Sequence, residues 1–450
     1  MRGNVVLKTK IIVLDDDPTG SQTVHGCLLL TRWDVATLKE ALADSAPLFF
    51  ILTNTRGVDA ERAAAVTREA CRNLKAALAG QDIQPIFVSR SDSTLRGHYP
   101  VETDVIAAEL GPFDAHFLVP AFFEGGRFTR QSVHYLRSAG KEIPVHETEF
   151  ARDSVFSFKH SYLPDYVEEK TQGRIKAASV VRLQLDDIRQ GVYDRLLALH
   201  DNRCAVVDAE RQDDLDRFAA DLLKAAGQGK RFLFRSAASL LTSLAQLPSQ
   251  PVPAEGMAQY VRAAAAGVIL VGSHVPKTTR QLEALLKHPG VVPIEIDVNL
   301  LPDGHAELLK PVLEKIAAAH RARRTPVIYT SRRERVFPNQ AARLKFGEQV
   351  AALLMDVVRG LPATIGFLVS KGGITSNEVL STGLQLRTAR LLGQILPGVS
   401  VVRCPHNHPR FPDLPVVIFP GNVGDERALV TVFERLHPAA GAPRASGKTP

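Results

Sequence analysis

Three consecutive carboxylates, Asp15, Asp16 and Asp17, follow the apolar run Ile11–Leu14 and precede Pro18-Thr19-Gly20. So short an apolar run suits one buried strand and is too short for a helix. Pro18 and Gly20 then turn the chain. The acids are therefore expected at the C-terminal tip of a strand, where open α/β sheets place their ligand crevice. Adjacent like charges repel, so a bound cation or a hydroxyl-rich ligand is the expected reason to keep three together. A second apolar run, ending at Val88, leads into Ser89-Arg90-Ser91-Asp92-Ser93-Thr94-Leu95-Arg96-Gly97-His98. Arginine offers a planar fork matched to carboxylate or phosphate. Ser and Thr at a strand-to-helix turn offer hydroxyls and backbone N–H groups to an anion. A third turn, Thr53-Asn54-Thr55-Arg56-Gly57 after Leu48–Leu52, can hold the hydroxyl and carboxylate of a small acid, or simply cap a helix. Phe123-Glu124-Gly125-Gly126-Arg127-Phe128-Thr129 reads as a lid or as an ordinary glycine-rich loop.

Three glycine-bearing turns recur later, each after an apolar run: Gly272-Ser273-His274, Lys371-Gly372-Gly373-Ile374-Thr375-Ser376 and Gly421-Asn422-Val423-Gly424. Glycine lets backbone approach a phosphate closely, so three such turns in one domain predict a nucleotide cradle. Gly272 to Lys277 lacks the second glycine of a Walker loop, and Gly447-Lys448-Thr449 has no strand before it, so a P-loop is excluded. His406-Asn407-His408 lacks further ligands at metal-binding spacing.

These turns need strands and helices to position them. Strands are predicted over 10–15, 27–31, 48–52, 86–89, 116–119, 204–207 and 231–235, with helices over 59–78 and 211–227. Residues 121–175 read as a large irregular loop region. Further strands are predicted over 267–271, 291–296, 326–330, 364–369, 399–403 and 415–419, and helices over 277–287, 305–320, 341–359, 376–381 and 425–436. Alternation of this kind implies βαβ units. The expected fold class is α/β, with two three-layer domains, mostly parallel sheets and a ligand cleft between them. The expected organisation is a first domain over 1–245, a proline-rich linker over 246–258, a second domain over 259–436 and a disordered tail over 437–450. No internal repeat is apparent.

The chain has 450 residues, 45% hydrophobic, with a formal charge of +7. Its basic residues are dispersed and aromatics are few at 6%, which argues against nucleic acid. Four widely spaced cysteines form no CxxC pair, and there is neither a signal-peptide core nor a membrane-length apolar stretch. A cytoplasmic location is expected.

Together the segments Asp15 to Gly20, Asp92 to Gly97, Pro120 to Thr129, Gly272-Ser273, Gly372 to Ser376 and Gly421 to Gly424 resemble the four-carbon acid sugar kinase family, in order and over almost the whole chain. The resemblance implies an N-terminal acid-sugar domain and a C-terminal ATP domain. It places Asp16, Asp17, Arg56, Ser91, Asp92, Ser93, Thr94 and Arg96 in the substrate pocket. Ser273, Gly372, Gly373, Ile374, Thr375, Gly421 and Asn422 fall at the nucleotide. Arg90, Ile374 and Phe419 depart from the family's usual residues. The cofactors implied are ATP and Mg2+, with a carboxylate of the Asp15–Asp17 cluster as an alternative holder of the metal and no single ligand assigned. The partners are small molecules, neither nucleic acid nor membrane, with room for a homo-oligomer.

The expected reaction is phosphoryl transfer to the terminal hydroxyl of a threonate, erythronate or 3-oxo-tetronate type acid. Asp92 or Asp17 would accept the hydroxyl proton, and Arg56 or Arg96 would anchor the carboxylate, with Arg96 also counted in the catalytic set. Two alternatives remain: a haloacid-dehalogenase-type phosphatase using Asp15-X-Asp17-X-Thr19, and a non-catalytic nucleotide-sensing regulator.

Overall fold

A computed structural model describes residues 8–138, 140–332, 337 and 339–437, so the expected tail lies, beyond His437, outside the described residues. Two compact units divide the chain, Met1–Ser249 and Gln250–Pro450.

The first unit contains β1 (Lys8–Asp15), β2 (Leu28–Leu30), β3 (Leu48–Leu52), β4 (Ile83–Arg90), β5 (Ala115–Val119), β6 (Arg127–Arg130), β7 (Val133–Ser138), β8 (Lys141–Pro144), β9 (Val181–Leu183), β10 (Arg203–Val207) and β11 (Phe232–Ser236). Its main sheet runs β2-β3-β1-β4-β11-β5-β10-β9 and every pairing in it is parallel. A parallel sheet covered by helices on both faces needs apolar residues on both, and every residue of β3 and β5 is buried. The helix Ala60–Leu78 starts where Asp59 accepts the backbone N–H of Arg62 and packs Ala63, Ala70, Leu74 and Ala77 inward.

The second unit contains β12 (Val268–Val271), β13 (Val291–Ile296), β14 (Thr325–Thr330), β15 (Leu368–Lys371), β16 (Thr388–Leu396), β17 (Val399–Arg403) and β18 (Pro415–Phe419). The order is β13-β14-β12-β15-β18-β17-β16. It is parallel as far as β18 and antiparallel through β17 and β16.

The first four strands of each unit share one order, second-third-first-fourth. In both, the chain leaves the first strand toward one side and later crosses to place the fourth on the other. Each unit therefore has a switch point beyond the tips of its first and fourth strands, where open sheets bind ligands. In the first unit those tips carry Asp15–Asp17 and Ser91–Arg96. In the second they carry Gly272–His274 and Gly372–Thr375.

Several expectations change. Residues 121–175 are not an irregular loop: β6, β7 and β8 form an antiparallel sheet, and the helix Leu163–Lys170 packs nearby. The hairpin joining β6 to β7 turns through Gln131 and Ser132, both at positive φ (52° and 64°), without the Asn-Gly signal that advertises such turns. Asp208 pins that turn by accepting the Ser132 N–H at 2.8 Å. The strand expected over 364–369 begins only at Leu368, because Ile365 N–H is held by Pro362 O in a turn. The helix expected over 376–381 starts at Gly373 and widens into a π-turn through Gly383. Within 246–258, residues from Ala254 on coil into a 3-10 helix that buries Met257. All four cysteines are buried and none is in a disulfide. No helix of the described residues is long and apolar enough to cross a membrane.

Candidate functional site

Asp15 and Arg90 are the last residues of β1 and β4 and lie opposite each other in the parallel register. Arg90 Nη1 approaches Asp15 Oδ1 at 3.3 Å, while Asp15 Oδ2 is buried with no hydrogen-bond partner. A Cβ on Gly20 would overlap this carboxylate, so only glycine lets the turn close over it. Burial, reinforced by the charges of Asp16 and Asp17 and only partly offset by Arg90, pushes the Asp15 carboxyl up to about 7.

Asp16 is 1% exposed and receives Arg56 on both oxygens and the Ser91 hydroxyl at 2.6 Å. Asp17 takes the Thr19 N–H and hydroxyl on Oδ1 (2.8 and 2.6 Å) and Arg56 Nη1 on Oδ2 (3.2 Å). Burial opposes its charge, but Arg56 and Thr19 hold its carboxyl below the usual carboxylate range. Arg56 and Arg90 thus supply internal counter-ions that let the three acids stand together.

Asp92 sits on the turn beyond β4. Its Oδ2 accepts the Thr94 hydroxyl and Arg96 Nε (2.7 Å), whereas Oδ1 carries no hydrogen bond among the described residues. Burial again opposes ionisation, but Arg56 and Arg96 pull the carboxyl far below its usual range. Arg96 also reaches Asp153 at 3.4 Å. The turn needs Leu95 at φ 67° and Gly97 at φ 118°, and a Cβ on Gly97 would stand 2.6 Å from Arg235 Nη2. A cavity of about 20 Å³ beside Asp92, Arg96, Tyr166, Arg235 and Ser236 has room for a water molecule.

Beneath this turn lies a buried support. Arg235 donates to Glu102 (2.5 Å), Ser89 (2.7 Å) and Ser91 (2.7 Å), so Ser91 is held between Arg235 and Asp16. His134 Nε2 lies 2.8 Å from the Ser93 carbonyl, an acceptor only, so Nε2 carries the proton and Nδ1 accepts from Thr129 at 2.9 Å. Burial keeps this ring neutral, its pKa lowered to about 4. Ser93 and Thr94 are 7% and 1% exposed, so they brace the turn and do not face solvent.

In the second unit a cavity of about 650 Å³ lies beyond β12, β14 and β15, lined among others by Gly272, Arg332, Ile374, Thr375 and Glu378. The glycine turns converge beside it. Thr375 fills the space where a Gly272 Cβ would be, and Ser273 stands against Gly372 and Gly421. Thr278 ties two turns together: its hydroxyl donates to Gly421 O (2.8 Å) and lies within hydrogen-bond distance of the Ser273 hydroxyl (3.1 Å). Lys371, fully buried at the end of β15, donates to Pro420 O (2.5 Å) and lies 3.8 Å from the Phe419 ring centre. Burial, with repulsion from Lys277, lowers its ammonium to about 7. Gly373 opens the helix after β15, and Asn422 is exposed beyond Gly421.

Sequence reasoning therefore named residues that do cluster, Asp16, Asp17, Arg56, Ser91, Asp92, Thr94 and Arg96 in one unit and Ser273, Gly372, Thr375 and Gly421 in the other. It missed Arg235 and Glu102, which sit inside a strand and a helix with no local signal. It read the turn that begins at Lys371 without giving that side chain a role, and it missed Arg332, which lies just past the tip of β14. Among the described residues no group of three or more His, Cys, Asp or Glu side chains is arranged to hold a metal ion.

Residues 11–244 match a model of a sugar-binding N-terminal domain, and residues 268–429 match a nucleotide-binding C-terminal domain. The chain belongs to the four-carbon acid sugar kinase family. Within it, the chain is 27% identical over 311 residues to a D-erythronate kinase of Heliobacterium modesticaldum, covering 66% of this chain and 64% of that one. It is 26% identical over 435 residues to a D-threonate kinase of Cupriavidus necator, covering 95% and 97%. The match thus spans just under two thirds of the erythronate kinase and nearly all of the threonate kinase. Structures from Salmonella typhimurium LT2 (TM-score 0.68, 19% identity, 94% and 98% covered) and Haemophilus influenzae (0.64, 17%, 94% and 98%) share the family's fold.

Proposed function

We propose that this protein is an ATP-dependent kinase that phosphorylates the terminal hydroxyl of a four-carbon sugar acid of the threonate, erythronate or 3-oxo-tetronate type. The observation that carries the reading is the asymmetry of Asp92. One carboxylate oxygen is locked by Thr94 and Arg96, and the other is free. Asp17, the competing candidate, has both oxygens engaged. Asp92 Oδ1 is then the acceptor for the substrate hydroxyl. A carboxylate held so far below its usual range is a weak base. That suits orienting the hydroxyl and taking its proton late in a loose phosphoryl-transfer transition state.

The first unit would hold the acceptor and the second the nucleotide. A cavity of about 650 Å³ is within the size range of small-molecule sites, and glycine turns beside it allow backbone to meet phosphate. Magnesium commonly binds through one or two carboxylates together with substrate phosphates. Among the described residues that line that cavity, Glu378 is the carboxylate, and magnesium there would neutralise phosphate charge. The phosphatase alternative requires Asp15 as nucleophile, yet Asp15 is 0% exposed behind Gly20 and Arg90.

The test is ADP release with ATP and Mg2+ over D-threonate, D- and L-erythronate and 3-oxo-tetronates. Turnover that requires one acid supports the kinase. ATP binding without turnover on any acid favours the nucleotide-sensing regulator.

A further inference from the structure

Arg127 is the one guanidinium around Asp92 that the chain leaves without a counter-ion among the described residues. Arg56 holds Asp16 and Asp17, Arg96 holds Asp92 and Asp153, Arg90 faces Asp15, and Arg235 holds Glu102. Both residues first expected to anchor a substrate carboxylate, Arg56 and Arg96, are thus engaged internally. Arg127 opens β6 and donates through Nη1 to Gly125 O at 2.6 Å. Its Nε is buried with no hydrogen-bond partner. A Cβ on Gly125 would collide with its guanidinium, so the Gly125-Gly126 turn is shaped around this side chain. Arg127 and Arg96 stand over the same ring, 6.0 and 4.9 Å from the centre of Phe150. Its strongest charged neighbours are Asp92, Arg96 and Glu149. A partly buried cation with an unused donor is costly unless a ligand supplies the anion.

We propose that Arg127 binds the substrate carboxylate and so makes the site select acids over neutral polyols. This rests on the reading of the site as a sugar-acid kinase. With the terminal hydroxyl oxygen at Asp92, the carboxyl carbon lies one C–O and three C–C bonds away, about 5 Å in an extended chain. That span suits a guanidinium that is already a charge neighbour of Asp92. A guanidinium carries paired N–H donors whose spacing matches the two carboxylate oxygens.

The test compares wild type, Arg127→Gln and Arg127→Lys with ATP and Mg2+ on D-erythronate, D-threonate, erythritol and D-threitol. The polyols keep the carbon chain and hydroxyls and lack only the carboxylate. Calorimetric binding of the acids without nucleotide gives a second readout. For Arg127→Gln the expected result is a KM and acid Kd raised about 10- to 100-fold, from loss of charge-assisted hydrogen bonds. Its kcat stays within a few-fold, and its activity on the polyols is unchanged. Arg127→Lys keeps the charge and loses the fork, so it falls between. An unchanged acid KM, or an equal loss on acid and polyol, overturns the assignment, as does a loss confined to kcat. If thermal melting shows that the Gln variant does not fold, the Lys variant decides: no rise in its acid KM overturns the proposal. Wild type that neither binds nor phosphorylates any acid would instead reject the kinase reading, and the Arg127 assignment with it.

Discussion

Replacing Glu102 by Leu should destabilise the first unit more than any change at its rim. Glu102 and Arg235 meet at 2.5 Å with side chains only 5% and 9% exposed, and Glu102 also accepts the Thr55 hydroxyl at 2.5 Å. Removing one partner of a buried pair leaves the other charge uncompensated, a cost of about 3–5 kcal/mol. Arg235 keeps Ser89 and Ser91 as partners, which places the loss at about 3 kcal/mol. The chain has one tryptophan, Trp33, packed against the core of this unit, so its fluorescence follows this unit's unfolding. With a urea slope of about 2–3 kcal/mol per molar, the midpoint should fall by about 1 M. The double variant Glu102→Leu/Arg235→Met removes both charges and should recover most of that loss, because apolar residues replace a buried pair at little cost. It should still bind sugar acid weakly, since Ser91 loses the donor that holds it against Asp16. A single variant whose midpoint stays within roughly 0.3 M of wild type would refute the reasoning. So would a double variant less stable than the single one.

Three further outcomes follow from the same geometry. Asp92→Asn should lower kcat by about 10²–10⁴ while nucleotide binding, measured by calorimetry, is kept; retained turnover would reject Asp92 as the hydroxyl acceptor. Asp15 is raised to about 7 from 3.8, so between those values the folded state holds a proton that the unfolded state releases. Stability should therefore fall as pH rises from about 4 to 7, by up to about 1.4 kcal/mol per pH unit from this group, and Asp15→Asn should flatten the slope in urea titrations at several pH values. Lys371→Met removes the ammonium that ties β15 to Pro420 and Gly421, and should weaken ATP binding about tenfold or more while leaving acid binding to the first unit intact; an unchanged ATP affinity would make Lys371 a packing residue only.

Much of this architecture is legible in the chain because parallel strands buried on both faces read as unbroken apolar runs, as Leu48–Leu52 and Pro415–Phe419 do. The polar turns at the tips of β1, β4, β12 and β15 stand out for the same reason: each interrupts such a run. What escaped is non-local. The β6–β7 hairpin turns through Gln131 and Ser132, a pair without glycine, and is held by Asp208 far along the chain. Arg235 resembles any polar residue ending a strand until the fold brings Glu102 to it. The shared second-third-first-fourth strand order is invisible as a repeat, because topology is kept while the tips carry acids in one unit and glycines in the other. The counter-ions of the acid triplet, Arg56 and Arg90, are likewise supplied only by the fold.

The central claim, that a sugar acid is phosphorylated at its terminal oxygen, is tested most directly on the product. The protein is incubated with ATP, Mg2+ and each acid in turn, and phosphorus–proton coupling in the NMR spectrum locates the new phosphate. The account predicts one acid phosphorylated on its terminal carbon, with ADP formed in equal amount and neither product without the acid. Inorganic phosphate released from ATP with every acid unmodified, or phosphate found on the carboxylate or an inner hydroxyl, would contradict it.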